Sequence, residues 1–182
     1  MPMSGSIRLV HYEDKYKENL LAFFLPKEQE EFTGMPADTL EPALQDVNRH
    51  PTVILDGDTA VGFFVLHGWE GIADVYSGGS RAMLFRAFLI DYASQGKGYA
   101  KAAMELLPSY IGTRYPGTNE VVLSVNEENS FALRLYLAAG FQDNGLRRMG
   151  PKGPQKILQY PLLGAAIISP SSPSFCGGPS GC

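Results

Sequence analysis

Residues 85–103 read Phe85-Arg-Ala-Phe-Leu-Ile-Asp-Tyr-Ala-Ser-Gln-Gly-Lys-Gly-Tyr-Ala-Lys-Ala-Ala103. The apolar run Phe85–Ile90 predicts a buried strand, and the small and straight-chain residues after Gly98 predict a helix. Between them, Gln95-Gly96-Lys97-Gly98-Tyr99-Ala100 brings several backbone N–H groups together at a helix N-terminus. The first N–H groups of a helix have no intrahelical acceptor, and the macrodipole adds positive charge there. Glycines at 96 and 98 remove the Cβ atoms that would keep a ligand away. Such a loop suits a phosphate or pyrophosphate, with Lys97 and Lys101 adding formal charge beside it. The two common nucleotide signatures do not fit. A P-loop needs glycine at position 91 and Ser or Thr after Lys97, where Asp91 and Gly98 stand; a dinucleotide fingerprint needs a small residue at 101, which is Lys101.

What does fit is Gln95-x-x-Gly98-x-Ala100 directly after a strand, which resembles the pyrophosphate motif of the GNAT superfamily of acyl-CoA N-acyltransferases. Downstream, Asn129-x-x-Ala132-x-x-x-Tyr136-x-x-x-Gly140-Phe141 resembles the second signature of the same superfamily. The two occur in the family's order, separated by a helix and a strand. The resemblance implies a mixed α/β fold: a mostly antiparallel, twisted sheet of six to seven strands with one splayed parallel pair and about four flanking helices. It implies acetyl-CoA as cosubstrate. Its pantetheine arm would lie against the backbone of Phe88, Leu89 and Ile90, and its diphosphate on the N–H groups of Gly96, Lys97, Gly98, Tyr99 and Ala100. Gln95 would hold the loop or meet the phosphates. Asn129 is both an apt N-cap and, by resemblance, a partner of the pantetheine arm. Tyr136 reads either as a core aromatic or, by resemblance, as the acid that protonates the departing thiolate.

Composition agrees with one soluble domain. The chain has 182 residues, 45% hydrophobic and 19% charged, with net charge −4. An acidic balance argues against nucleic acid as a partner. Both cysteines, Cys176 and Cys182, fall at the end, so the body has no internal disulfide and suits a reducing cytoplasm. No apolar run reaches membrane-spanning length, and no metal-ligand pattern stands out. Residues 1–163 are expected to form the domain, and 164–182, rich in Ser, Pro and Gly, a flexible tail.

In chain order, the pattern predicts a strand at Ile7–His11, a helix over 14–25 ended by Pro26, a short helical piece at 27–32, and a helix over 38–48 with Leu40, Leu44 and Val47 inward. Residues 52–55 and 60–66 flank Asp56-Gly57-Asp58 as a hairpin, with Gly62 just inside its second strand. The helix after Gly98 extends to about Arg114, with Ala103, Leu106, Leu107, Tyr110 and Ile111 inward. Strands are expected at 120–125, from Phe141, and at 155–162, with Gly140 ending the helix before Phe141.

An amine must lose its proton before attack, so a base is expected near the sulfur. Asp91, Glu70, Asp74, Glu127, Glu128 and His67 are placed for it by chain position, and each also reads as a surface acid or structural histidine. The acceptor is expected to be a primary amine of a small molecule. The segment 25–32, with its acids Glu28, Glu30 and Glu31, together with 90–99, looks like the spermine/spermidine acetyltransferase branch. Acylation of a protein N-terminus or an antibiotic, and a non-catalytic acyl-CoA-binding module, are the other readings. A homodimer is compatible with the family.

Overall fold

The computed structural model describes residues 6–69, 72, 73, 75–79 and 81–162. The expectations for Glu70, Asp74 and the tail 164–182 lie outside them. A seven-stranded sheet carries the fold, in the order β1-β2-β3-β4-β5-β7-β6. Its strands are β1 (Ile7–His11), β2 (Arg49–Asp56), β3 (Thr59–His67), β4 (Ala82–Ile90), β5 (Glu120–Asn126), β6 (Arg147–Gly150) and β7 (Gly153–Pro161). Every pairing is antiparallel except β4 with β5. The helices are α1 (Lys17–Leu21), α2 (Lys27–Glu30), α3 (Pro36–Gln45), α4 (Tyr99–Arg114) and α5 (Ser130–Ala138). The expected mixed α/β architecture with one parallel pair is therefore present, with five short-to-medium helices.

Two apolar faces explain the layering. On one side Phe64, Leu66, Phe85, Leu123 and Leu158 pack with Ala103, Met104, Leu107 and Ile111 of α4. On the other, Val53, Leu55, Phe63 and Val65 pack with Leu20 of α1 and Leu40 and Ala43 of α3. The β2–β3 hairpin closes through Gly57-Asp58, with Gly57 at φ +59° and its carbonyl accepting a 2.8 Å hydrogen bond from Arg8. Gly62 is held where no side chain fits: a Cβ there would lie 2.8 Å from the Leu89 carbonyl oxygen and 2.7 Å from Ile90 Cδ1.

Several elements differ from the sequence pattern. The first helix stops at Leu21, because the backbone of Phe24 is used elsewhere: its N–H donates to Asp91 Oδ1 at 2.9 Å and its carbonyl accepts from Tyr92 N–H at 3.0 Å. That strap docks the chain onto the end of β4. In α3 the buried stripe is Pro36, Leu40 and Ala43, while Leu44 is exposed and Val47 lies beyond the helix. In α4, Met104 and not Leu106 faces inward, since Ala103, Met104, Leu107 and Ile111 share the 3.6-residue stripe. Phe141 is buried but starts no strand. Only a single bridge, Gln142 with Gln159, forms before the chain turns at Gly145 (φ +88°). The strand comes later, as β6.

Candidate active site

The parallel pair that should unite the sheet holds for three residues, Ala82 with Glu120 to Leu84 with Val122. Beyond that β5 stays paired with β7 as far as Asn126, and β4 with β3 as far as Ile90. The segments 85–90 and 123–126 therefore flank a gap in the sheet. A bulge on β4 shapes it. Phe63 pairs with Leu89 but Val65 with Arg86, so Ala87, at φ +54°, is one extra residue. In a regular strand Arg86 and Phe88 would share a face. The extra residue lets Phe88 join Phe85 on the α4 side, their rings 5.2 Å apart, while Arg86 faces the other way with Val65.

On the α4 side lies a cavity of about 570 Å³. It brings together Phe88, Leu89, Ile90, Gln95, Gly96, Gly98, Tyr99, Ala100, Asn129 and Tyr136, nearly the full set of site residues expected from the sequence. Lys97 is the exception, exposed beside the loop and outside the cavity lining. Leu89 and Asp91 face β3, as the Asp91 N–H to Val61 carbonyl bond shows, so alternation turns the backbone of Phe88 and Ile90 toward the gap. Their carbonyls accept from the Thr33 hydroxyl (3.0 Å) and the Gln95 amide (3.1 Å).

Gly96 (φ +76°) and Gly98 (φ +83°) take the left-handed conformation that lets the loop turn its amides outward. A Cβ at either position would meet nothing within 4 Å, so the space above them is open. The first bond of α4 runs from Ala102 N–H to the Gly98 carbonyl. Among the described residues no carbonyl or side chain takes the N–H groups of residues 96–101, while that of Gln95 donates to the Tyr92 carbonyl at 3.2 Å. Gln95 is bound to the Ile90 carbonyl and to Gln29 at 2.7 Å, so its amide ties the loop to β4 and α2. The Tyr99 hydroxyl donates to the Asp56 carboxylate, which anchors the helix start to the end of β2 and raises the phenol's pKa.

Asn129 caps α5, its side-chain oxygen accepting from Ala132 N–H at 3.1 Å, while still lining the cavity. Tyr136 is buried against Phe85, Phe88 and Phe141. Burial alone pushes its pKa far above the usual phenol value, so the hydroxyl stays protonated at neutral pH.

Comparisons with known proteins identify the family. The acetyltransferase (GNAT) family model matches residues 13–141. The chain belongs to that family. It is 39% identical over 158 residues, 87% of this chain and 99% of the other, to the uncharacterized N-acetyltransferase YbbJ of Bacillus subtilis (strain 168). In fold it resembles the aminoglycoside acetyltransferase AAC(6')-Ib in complex with coenzyme A, at TM-score 0.71 and 20% identity over 86% of this chain and 95% of that one. It also resembles spermidine N-acetyltransferase from Vibrio cholerae in complex with CoA and spermine, at TM-score 0.60 and 20% identity over the same shares. The protein is thus an acyl-CoA-dependent N-acetyltransferase, with acetyl-CoA its cosubstrate. Among its described residues no helix is long and apolar enough to cross a membrane.

A second cavity of this acetyltransferase, about 830 Å³, opens on the other side of the gap. Phe32, Thr33, Phe88, Ser124, Asn126 and Tyr136 line both cavities, so Tyr136 stands where they meet. Sequence reading missed this second cavity. Its polar lining includes Arg49, His67, Arg86, Arg148 and Lys152, drawn from β2, β3, β4, β6 and the β6–β7 turn. No local spacing signals such a set. Of the acids considered as bases, Asp91 is committed to the Phe24 N–H. Glu127 lies 3.4 Å from Arg147, and neither Glu127 nor Glu128 lines either cavity. His67 does line the second cavity and is fully buried, its Nε2 3.6 Å from Asp46 and its Nδ1 3.5 Å from Arg86.

Proposed function

We propose that this enzyme moves the acetyl group of acetyl-CoA to a primary amine of a small molecule by direct attack, with the thioester held in the sheet gap beside Tyr136. One observation carries the reading: outward-facing, unclaimed N–H groups of a glycine loop open onto a continuous cavity that ends at a buried, protonated tyrosine. The loop amides of residues 96–100 hold the diphosphate at the positive end of α4. The Phe88 and Ile90 backbone, turned into the gap, takes the pantetheine arm as a partial strand would be taken. Asn129 closes the arm's other side while capping α5.

Acetyl-CoA supplies an activated acyl group, so the protein's work is placement and charge stabilisation. As the new C–N bond forms, the C–S bond breaks. Tyr136 gives its proton to the departing sulfur, and the phenol is restored by the proton the amine gives up. The phenol is protonated at neutral pH, as the acid half of that exchange requires. The amine approaches through the second cavity, the side of the gap that the cradle leaves open.

Titration with acetyl-CoA, followed by release of free CoA thiol across a panel of amines, tests the reading. Saturable binding with amine-dependent thiol release is expected. Binding without release from any amine would leave only an acyl-CoA-binding module.

A further inference from the structure

The stretch from Phe24 to Gly34 borders both cavities, and its sides differ. Helical turns run on past α2, with the Phe32 N–H bonded to the Gln29 carbonyl and the Thr33 N–H to the Glu30 carbonyl. Gln29 and Thr33, four positions apart, therefore share a side, and both line the first cavity. Lys27, Glu30 and Glu31 line the second cavity alone. The stretch is pinned at its start, where Phe24 exchanges hydrogen bonds with Asp91 and Tyr92.

Gln29 and Thr33 reach the open edge of β4. Where β4 leaves β5, the Phe88 and Ile90 carbonyls face a gap in place of a neighbouring strand. An edge of unpaired N–H and C=O groups is a template for strand pairing, and the strand at hand is β5. Side chains take both carbonyls. Thr33 donates its hydroxyl proton to the Phe88 carbonyl at 3.0 Å. Gln95 donates to the Ile90 carbonyl at 3.1 Å and, through the same nitrogen, to Gln29 at 2.7 Å. Gln29 returns a 3.3 Å bond to the Gln95 oxygen. These contacts commit both protons of the Gln95 amide.

Resting on the acetyl-transfer reading above, we propose that Gln29 and Thr33, outside both sequence signatures, are positioning residues of the acetyl-CoA site. They keep the edge of β4 apart from β5, Thr33 directly and Gln29 through Gln95, so that the pantetheine arm meets a gap already open. No strand pairing has to be broken on binding, and preorganisation of this kind is gained as affinity. Gln95 then serves as a strut for the loop, its amide protons held by the protein and not by the diphosphate.

Calorimetric titration of acetyl-CoA into the full-length protein tests this with three variants of similar side-chain size, Gln29→Met, Gln95→Met and Thr33→Val. Each should raise the Kd about three- to tenfold, the net worth of a neutral hydrogen bond. The double variant Gln29→Met with Gln95→Met should bind no more weakly than Gln95→Met alone, because Gln29 acts through Gln95. Thr33→Ser, which keeps the hydroxyl, should restore most of the parent affinity. Gln29→Ala takes the same place in the cycle if the methionine is not accommodated. Thermal unfolding of each variant sets a titration temperature at which all are folded, so a merely structural role would move Tm and leave Kd alone. Folded variants that bind acetyl-CoA as the parent does, additive effects of the two glutamine substitutions, or a Thr33→Ser variant no better than Thr33→Val would overturn the proposal and leave acetyl transfer standing. A parent protein without saturable acetyl-CoA binding would overturn both.

Discussion

The two sides of the sheet gap are built from different materials. The side proposed to hold acetyl-CoA is a backbone device: two left-handed glycines, a helix start and two strand residues turned into a gap. Its side chains, Gln95, Tyr99 and Asn129, are bonded to the protein itself and hold the backbone in shape. The side proposed for the acceptor is the reverse, a cavity whose character comes from charged side chains on separated elements. Side-chain charge is free to vary with the acceptor. Substitutions should therefore sort cleanly, those on one side changing acetyl-CoA binding and those on the other changing the amine.

The largest effect is expected where the two sides meet. Tyr136→Phe keeps the ring that packs between Phe85, Phe88 and Phe141 and removes only the hydroxyl. It should lower kcat by about 100-fold, the lower end of what a positioned general acid contributes, with acetyl-CoA affinity within about twofold of the parent. An unchanged kcat would make Tyr136 a core aromatic and nothing more.

Next is the strand that forms one wall of the gap. Gly62→Ala puts a methyl group against the Leu89 carbonyl and Ile90, and backbone cannot yield as a flexible side chain does. A loss of about 1–3 kcal/mol, the usual range for overpacking, should appear in denaturant unfolding. Because β4 must move away from β3 into the gap, acetyl-CoA binding should weaken in the protein that remains folded. Gly98→Ala makes the contrast. Its Cβ would have open space, so the cost is the left-handed φ alone, about 1 kcal/mol. Acetyl-CoA affinity should fall severalfold from the misplaced amides and the methyl group over them, with the amine KM unaffected.

These differences explain what the sequence made legible. Spacing between glycine, alanine, asparagine and tyrosine reports a local backbone path, and the loop is a local path, so nearly all of the residues expected together do line one cavity. The failures are long-range. Residues 22–25 have helical periodicity but spend the Phe24 backbone groups on Asp91 and Tyr92, which lie far along the chain. Leu106 is as apolar as Leu107 and misses the buried stripe by one position. The bulge at Ala87 inverts the face of Arg86 relative to Phe88 without any glycine to mark it. That one residue separates the charged wall of the second cavity from an apolar core face, and nothing in the local pattern reveals it.

A third region, away from both cavities, offers the control with the smallest effect. His11 and His50 lie where the β1–β2 edge meets the end of α4, with His50 4.7 Å from the Tyr115 ring. Burial lowers the pKa of both. Arg114 lowers both further, and for His50 the neighbouring His11 does so too, against smaller upward pulls from Glu13 on His11 and Asp46 on His50. The unfolded chain has ordinary histidines near 6.5. As pH falls through that value the unfolded state takes up protons that the native state does not, so the native state loses stability with acidification. The contribution is complete above about pH 7 and shrinks as pH falls below about 6.5. Thermal unfolding at pH 7.5 and 5.5 should show a fall in Tm that the double substitution His11→Gln with His50→Gln flattens. The pH dependence of kcat should be untouched by the same change, since neither ring lines a cavity. A double variant that kept the full slope would place the acid sensitivity elsewhere than on this pair.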